Sequence, residues 1–188
     1  MQGGAVLLVA GPGFGKSVLL AQSMAENELA PRGADVFVGC TRADRSTSHL
    51  VQHIAESAGL EHPSMREPTV EWLLAELGRK WPLGVCVILD DVHQLLDRDA
   101  GVRFVSRLVT DAPSPVHFVL VSRVHVRGLA QLRVAGAILE IGEQQLLLSR
   151  SEMTALAELH GVDLSIPAST GGWPAAALTM TTASSAPG

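Results

Sequence analysis

The segment Ala10-Gly-Pro-Gly-Phe-Gly-Lys-Ser17 alternates glycine with other residues and ends in a lysine and a hydroxyl. Glycine reaches backbone conformations closed to residues with a β-carbon. Gly11, Gly13 and Gly15 therefore let successive N–H groups turn into one concavity that suits an anion. A helix starting near Lys16 adds its positive N-terminal end at the same place. The Lys16 ammonium suits the outer phosphates of a nucleoside triphosphate, and the Ser17 hydroxyl suits Mg2+. The segment reads as a P-loop with alanine at the first position of the strict pattern. Gly11, Pro12, Gly13, Phe14, Gly15, Lys16, Ser17 and Val18 are the candidate nucleotide-binding residues.

A second group lies about 70 residues downstream, where the apolar run Val85-Cys-Val-Ile-Leu89 ends in Asp90-Asp91. An apolar strand ending in an acid is the Walker B pattern. It suits Asp90 to hold Mg2+ together with Ser17, and Asp91 to orient or deprotonate an attacking water. A third group is Ser122-Arg123, which ends the next apolar run, Val116 to Val121. In an open parallel sheet, ligands sit beyond the carboxyl ends of the strands. Arg123 there is a candidate catalytic residue and γ-phosphate sensor, alongside Lys16 and Asp91.

These residues need an alternating frame to bring them together. Val6 to Ala10, Val36 to Val38, Val85 to Leu89, Val116 to Val121 and Ile138 to Ile141 read as strands. Helical spacing runs over Ser17–Glu28, Ser46–Ala58, Thr69–Trp81 and Ala100–Asp111, with Ser46 and Thr69 as caps. The expected fold is an α/β P-loop NTPase three-layer sandwich with a mostly parallel five-stranded sheet. After Ser149 only helices are expected: Ser151–His160, Leu164–Ser169 and Trp173–Thr182. The divisions read as a core over 1–145, a helical segment over 146–182 and a linker over 183–188.

The composition narrows the alternatives. In 188 residues, 47% are hydrophobic and 18% charged, which suits a sheet covered on both faces. No apolar run is long enough to span a bilayer, and no basic leader opens the sequence, so cytoplasm is the expected location and no membrane partner is expected. The net charge is −5 with no run of like charge, which argues against an electrostatic footprint for nucleic acid. Arg123, Arg127 and Arg133 lack the interleaved aromatics of a nucleic-acid stripe. Cys40 and Cys86 read as buried free thiols rather than a redox pair. His49 and His53, four apart on one helix, could share a metal, but no third ligand lies near and packing explains them better. Trp173 reads as a core residue.

The sequence resembles a known family. Gly13-Phe-Gly-Lys-Ser17, Leu89-Asp-Asp-Val-His93 and Leu120-Val-Ser-Arg123 occur in order, followed by Leu129-Ala-Gln-Leu-Arg133, Leu139-Glu-Ile141 and Gly171-Gly-Trp-Pro-Ala175. Together they are similar to the nucleotide-binding domain of MalT-type, ATP-dependent LuxR-family transcriptional regulators, members of the STAND class of signalling NTPases. The resemblance implies a switch that holds ADP at rest, exchanges it for Mg-ATP, self-associates and resets by slow hydrolysis. It implies that Pro174 packs against adenine and that the Walker B strand lies beyond the P-loop strand's neighbour. It also implies that DNA is reached only through domains outside this chain. Two departures stand out. Only four residues precede Ala5, where the family closes over the base, and Gly39-Cys-Thr-Arg-Ala-Asp44 is a loose form of the family's Ser-Leu-Asp-x-x-Asp. The competing expectations are a stand-alone AAA-like ATPase, a small-molecule kinase and a partner-binding domain without nucleotide.

Overall fold

The structure, a computed structural model, describes residues 4–61, 69–95 and 99–185. Strand β1 (Ala5–Val9) leads through the glycine loop into helix α1 (Lys16–Leu29) and strand β2 (Ala34–Gly39). A 3-10 turn (Arg42–Arg45) precedes helix α2 (Thr47–Ser57). Helix α3 (Val70–Lys80) and strand β3 (Val85–Asp90) follow, then a 3-10 turn (Val92–Gln94) and helix α4 (Asp99–Thr110). Strand β4 (Val116–Ser122) is followed by a 3-10 turn (Arg127–Leu129), helix α5 (Ala130–Val134) and strand β5 (Ile138–Ile141). The remainder is helical: α6 (Glu143–Leu146), α7 (Arg150–His160), α8 (Ser165–Ala168) and α9 (Pro174–Ser185).

The strands form one sheet in the order β2-β3-β4-β1-β5, and every pairing is parallel. The expectation of a mostly parallel sheet is thus sharpened to an all-parallel one, and β4 separates the Walker B strand β3 from the P-loop strand β1. Alternation along each strand divides its side chains between two cores. Leu7 and Val9, Val36 and Val38, Val87 and Leu89, Phe118 and Leu120 join helices α2, α3 and α4 in the large core. Leu8, Ile88 and Val121 face the other way and meet Leu20 of α1 in a small one. At about 25 cal/mol per Å2 of apolar surface buried, the large core is the main stabilising term.

Some local expectations are corrected. Thr69 does cap α3, accepting from the Trp72 N–H at 3.2 Å. Ser46 precedes α2 but makes no side-chain cap; its hydroxyl is bonded to the Ser48 hydroxyl at 3.1 Å. The last helix runs to Ser185, past the expected end at Thr182, and 186–188 of the expected tail lie outside the described residues. Helices α5 and α6 were not expected, because five and four residues are too few to display a helical period. Cys40 and Cys86 are free, with Cys40 in the large core and Cys86 against the small one. Burial pushes the Cys40 thiol up to about 12 and the Cys86 thiol up to about 11. Both stay protonated and inert at neutral pH.

Candidate nucleotide-binding site

The sheet register brings the candidate groups to one edge. Val9 pairs with Ser122, and the Ala10 N–H continues that ladder to the Ser122 carbonyl at 3.2 Å. Gly39 pairs with Asp90, and the Cys40 N–H donates to the Asp90 carbonyl at 2.9 Å. The loop, the acid pair and Arg123 therefore all leave the carboxyl end of the sheet together, as an open α/β sheet requires of a ligand site. Alternation places Asp90 on the same face as Ile88, the face that α1 covers.

Between them lies a cavity of ≈ 260 Å3 lined by Pro12, Gly13, Gly15, Lys16, Ser17, Val18, Asp90, Asp91 and Arg123. Gly13 and Gly15 have φ of 80° and 79°, the left-handed region that glycine enters freely. Gly15 is also the N-cap of α1, and no side chain caps that end. The first N–H groups of a 14-residue helix are thus left without a side-chain acceptor, which fits a phosphate. Three candidates are placed differently. Gly11 has no positive φ, and its N–H donates to Glu143 Oε1 at 2.9 Å, so it anchors the loop to α6. Phe14 turns to Trp173, with ring centroids 6.2 Å apart. Pro174 opens α9 and is not among the residues lining this cavity.

The charged groups hold one another. Lys16 Nζ donates to the carbonyls of Ala10 and Gly11 at 2.6 and 2.8 Å. Burial lowers the Lys16 pKa from its ordinary value, and the nearby Arg123 lowers it further against the raising effect of Asp90, Asp91 and Glu143. Asp90 Oδ1 accepts from the Asp91 N–H at 2.8 Å. Asp91 is the one non-glycine residue of positive φ among the described residues, at 52°. Strain of this kind concentrates at functional sites. Its carboxylate takes two bonds from Arg123, Nε at 3.0 Å and the terminal nitrogen at 3.2 Å. Ser122 aims that arginine outward: it is buried, and its hydroxyl donates to the Val124 carbonyl at 2.6 Å, turning the chain at the strand's end.

Other residues at this edge carry weaker signals in sequence. Glu143 is an acid just past the end of β5, which borders the loop because β5 pairs with β1. Trp173 was expected in the core but is 42% exposed, because it lies over the loop instead. A β-carbon added at Gly13 would meet the Ala175 β-carbon at 2.8 Å and Trp173 Nε1 at 3.0 Å, and the Ala175 N–H donates to the Gly13 carbonyl at 3.0 Å. The Leu-Arg and Leu-Glu segments have a physical link too, since Arg133 is ion-paired with Glu140, joining α5 to β5. His49 and His53 bond Asp44 Oδ1 at 2.8 and 3.1 Å, and no group of three suitable metal-ligating side chains occurs among the described residues. No helix among them is long and apolar enough to cross a membrane.

Comparison with known proteins supplies the family. The AAA domain family matches residues 1–130, well over half of the chain. No curated protein matches the sequence. Among solved structures, the ORC1 protein of Aeropyrum pernix in complex with DNA is similar with 18% identity and a TM-score of 0.57, over 83% of this chain and 43% of that one. Cdc6p of Pyrobaculum aerophilum gives 15% identity and a TM-score of 0.59, over 82% and 42%. The ORC2 protein of Aeropyrum pernix, in its ADPNP-ADP complexes, gives 15% and 0.60, over 96% and 55%. The chain thus spans about half the length of these structures. At such identities the likeness is one of fold, and it agrees with the five-stranded parallel sheet. With the matched family covering both the glycine loop and the acid pair, this chain belongs to the AAA domain family, as a P-loop ATPase domain.

Proposed function

We propose that this chain is an ATP/ADP-binding signalling switch that hydrolyses ATP slowly, of the kind found in MalT-type LuxR-family regulators. The observation that carries the reading is the Arg123–Asp91 clasp at the mouth of the cavity. Each group is held by the other, so neither is free for a phosphate or a water until the pair opens. A domain built for rapid turnover gains nothing from such a closed pair, whereas a switch does.

In this reading the backbone N–H groups of Gly13, Gly15, Lys16, Ser17 and Val18 cradle the phosphates, with Pro12 at the rim. Gly11 and Phe14 brace the loop rather than touch the ligand. Lys16 leaves its loop carbonyls for the outer phosphates. Ser17 and Asp90 hold Mg2+, which would supply charge neutralisation on the phosphate oxygens. Asp91 orients or deprotonates the attacking water, Arg123 reads the terminal phosphate, and Pro174 flanks the adenine. Self-association on ATP, a cytoplasmic location, and DNA contact only through domains outside this sequence belong to the same reading.

A second reading, a stand-alone AAA-like ATPase, is favoured by the family match and by the fold shared with the ORC and Cdc6 structures. Turnover separates the two: a switch retains its nucleotide, whereas a motor cycles and responds to a polymer. The first test is the thermal midpoint with saturating Mg-ATP and Mg-ADP, in wild type and Lys16→Ala. Ligand at about 100 times its Kd adds roughly 2.7 kcal/mol, or about 5–10 °C for a domain of this size. The shift is expected in wild type and lost in the variant, with ADP the more stabilising. A shift retained in Lys16→Ala would remove the loop from the reading, and a larger shift with ATP would favour the second.

A further inference from the structure

His93 sits inside the turn that follows the acid pair, and one of its ring nitrogens has no partner. Val92 and Leu95, on either side of it, are buried and fix the turn in the core. Arg45 Nε donates to the Gln94 carbonyl at 2.9 Å, which pins the same turn from the other side. The imidazole therefore has little freedom. Its Nδ1 is shielded from solvent and makes no hydrogen bond. Buried nitrogens are nearly always paired, so an orphan at a functional edge calls for a cause.

The Arg123 clasp lies beside it. His93 Nδ1 lies 3.8 Å from Asp91 Oδ1, too far for a hydrogen bond, and that oxygen already accepts from Arg123 Nε at 3.0 Å. The carboxylate is drawn toward the guanidinium. Freed from it, Asp91 needs to swing only about 1 Å to reach a normal N–H···O distance to His93. The backbone at Asp91 is fixed by its left-handed turn and by the Asp90 bond to its N–H, so the carboxylate can move only by side-chain rotation.

We propose that His93 is a positioning residue that takes the Asp91 carboxylate over from Arg123. When the arginine turns to a terminal phosphate, Nδ1–H donates to Oδ1 and holds the acid against the water it serves. This rests on the roles given above to Asp91 and Arg123. The turn thus carries a second donor for the acid, ready for the moment the first one leaves.

The hand-over has a signature that requires no nucleotide. Arg123→Gln removes the competing donor, so in that variant the proton on His93 Nδ1 becomes hydrogen-bonded to Asp91, with its ring shifts moved and its exchange slowed. Long-range proton–nitrogen NMR at fixed pH reads this, with His93→Asn assigning the signal. Unchanged His93 ring signals in Arg123→Gln overturn the proposal. The second arm is single-turnover hydrolysis of Mg-ATP. His93→Leu slows it roughly tenfold to a hundredfold, the scale for losing a group that orients another, while ATP and ADP affinities stay the same. His93→Asn, whose amide nitrogen falls near Nδ1, retains most of the rate. Equal losses in both variants together with lower melting points would mean a structural role only and overturn the proposal. Asp91→Asn separates the two levels: an unchanged rate there removes Asp91 from the water-orienting reading, while the ring signals still decide the hand-over.

Discussion

Four donors converge on Asp44, whose side chain has no access to solvent. Its carboxylate accepts from the Thr41 N–H at 2.7 Å and the Thr41 hydroxyl at 2.8 Å, and from the rings of His49 and His53. Burial alone would raise its pKa; the Thr41 and histidine bonds together outweigh this and hold it below the ordinary 3.8. A depressed folded pKa gives stability that is present above the unfolded pKa and is lost as pH falls through the folded one. The midpoint of the wild type should therefore drop as pH falls below about 4. Asp44→Asn should be less stable near neutral pH by about 1–3 kcal/mol, since it strips charge from a buried bonded group, and should show a flatter fall across that acid window. Equal acid slopes in the two proteins would show that Asp44 does not set this response. Asp44 could be located in sequence only as part of a loose motif. Lys16, Ser17, Asp90, Asp91 and Arg123 were legible because each follows an apolar strand, and chain order alone sends them to one edge. Glu143 and Trp173 were not, because their places depend on long-range packing that no local spacing encodes; His93 was legible as part of the acid-pair motif, but its unpaired Nδ1 was not.

Helix α9 meets the glycine loop head on. The Ala175 N–H is bonded to the Gly13 carbonyl, and Trp173, just before the helix, lies against Phe14. Since Gly13 also lines the cavity, a phosphate drawing the loop's N–H groups inward must be felt at Trp173. Tryptophan emission is expected to change on addition of Mg-ADP in the wild type and to stay constant in Trp173→Phe. Trp72 and Trp81 pack against the large core and serve as the internal reference. A change of the same size in Trp173→Phe would place the responding group elsewhere. The strands were legible for a simple reason: a parallel sheet covered on both faces needs unbroken apolar runs, and Val85 to Leu89 is one. Their boundaries came out short where small or polar ends outside the apolar run belong to the strand, as with Ala34, Asp35 and Gly39 of β2. The docking of α9 on the loop was legible only through the family resemblance, which sets Pro174 beside the nucleotide; the Gly-Trp-Pro segment by itself states only that a helix begins.

The molecule as a whole is acidic, with a net charge of −5 and twelve arginines against two lysines. Several of those arginines are already committed: Arg79 to Glu76, Arg107 to Glu71 and Asp111, Arg123 to Asp91, and Arg133 to Glu140. A DNA phosphate would have to displace a carboxylate at each, and the field around the protein opposes its approach. That matters because a fold shared with a DNA-bound ORC structure invites the opposite expectation. DNA affinity depends on a surplus of unpaired cations along one face, and these pairings reduce it. The isolated chain is therefore expected to show no saturable binding to duplex oligonucleotide at about 0.15 M salt by fluorescence anisotropy, with or without Mg-ATP. Micromolar binding with a steep salt dependence would overturn this and favour the stand-alone ATPase over the switch. If nucleotide alone brought that binding on, the arginine–carboxylate pairs would be the place to look, and Arg123→Gln would be the variant to measure, because its partner Asp91 faces the same cavity.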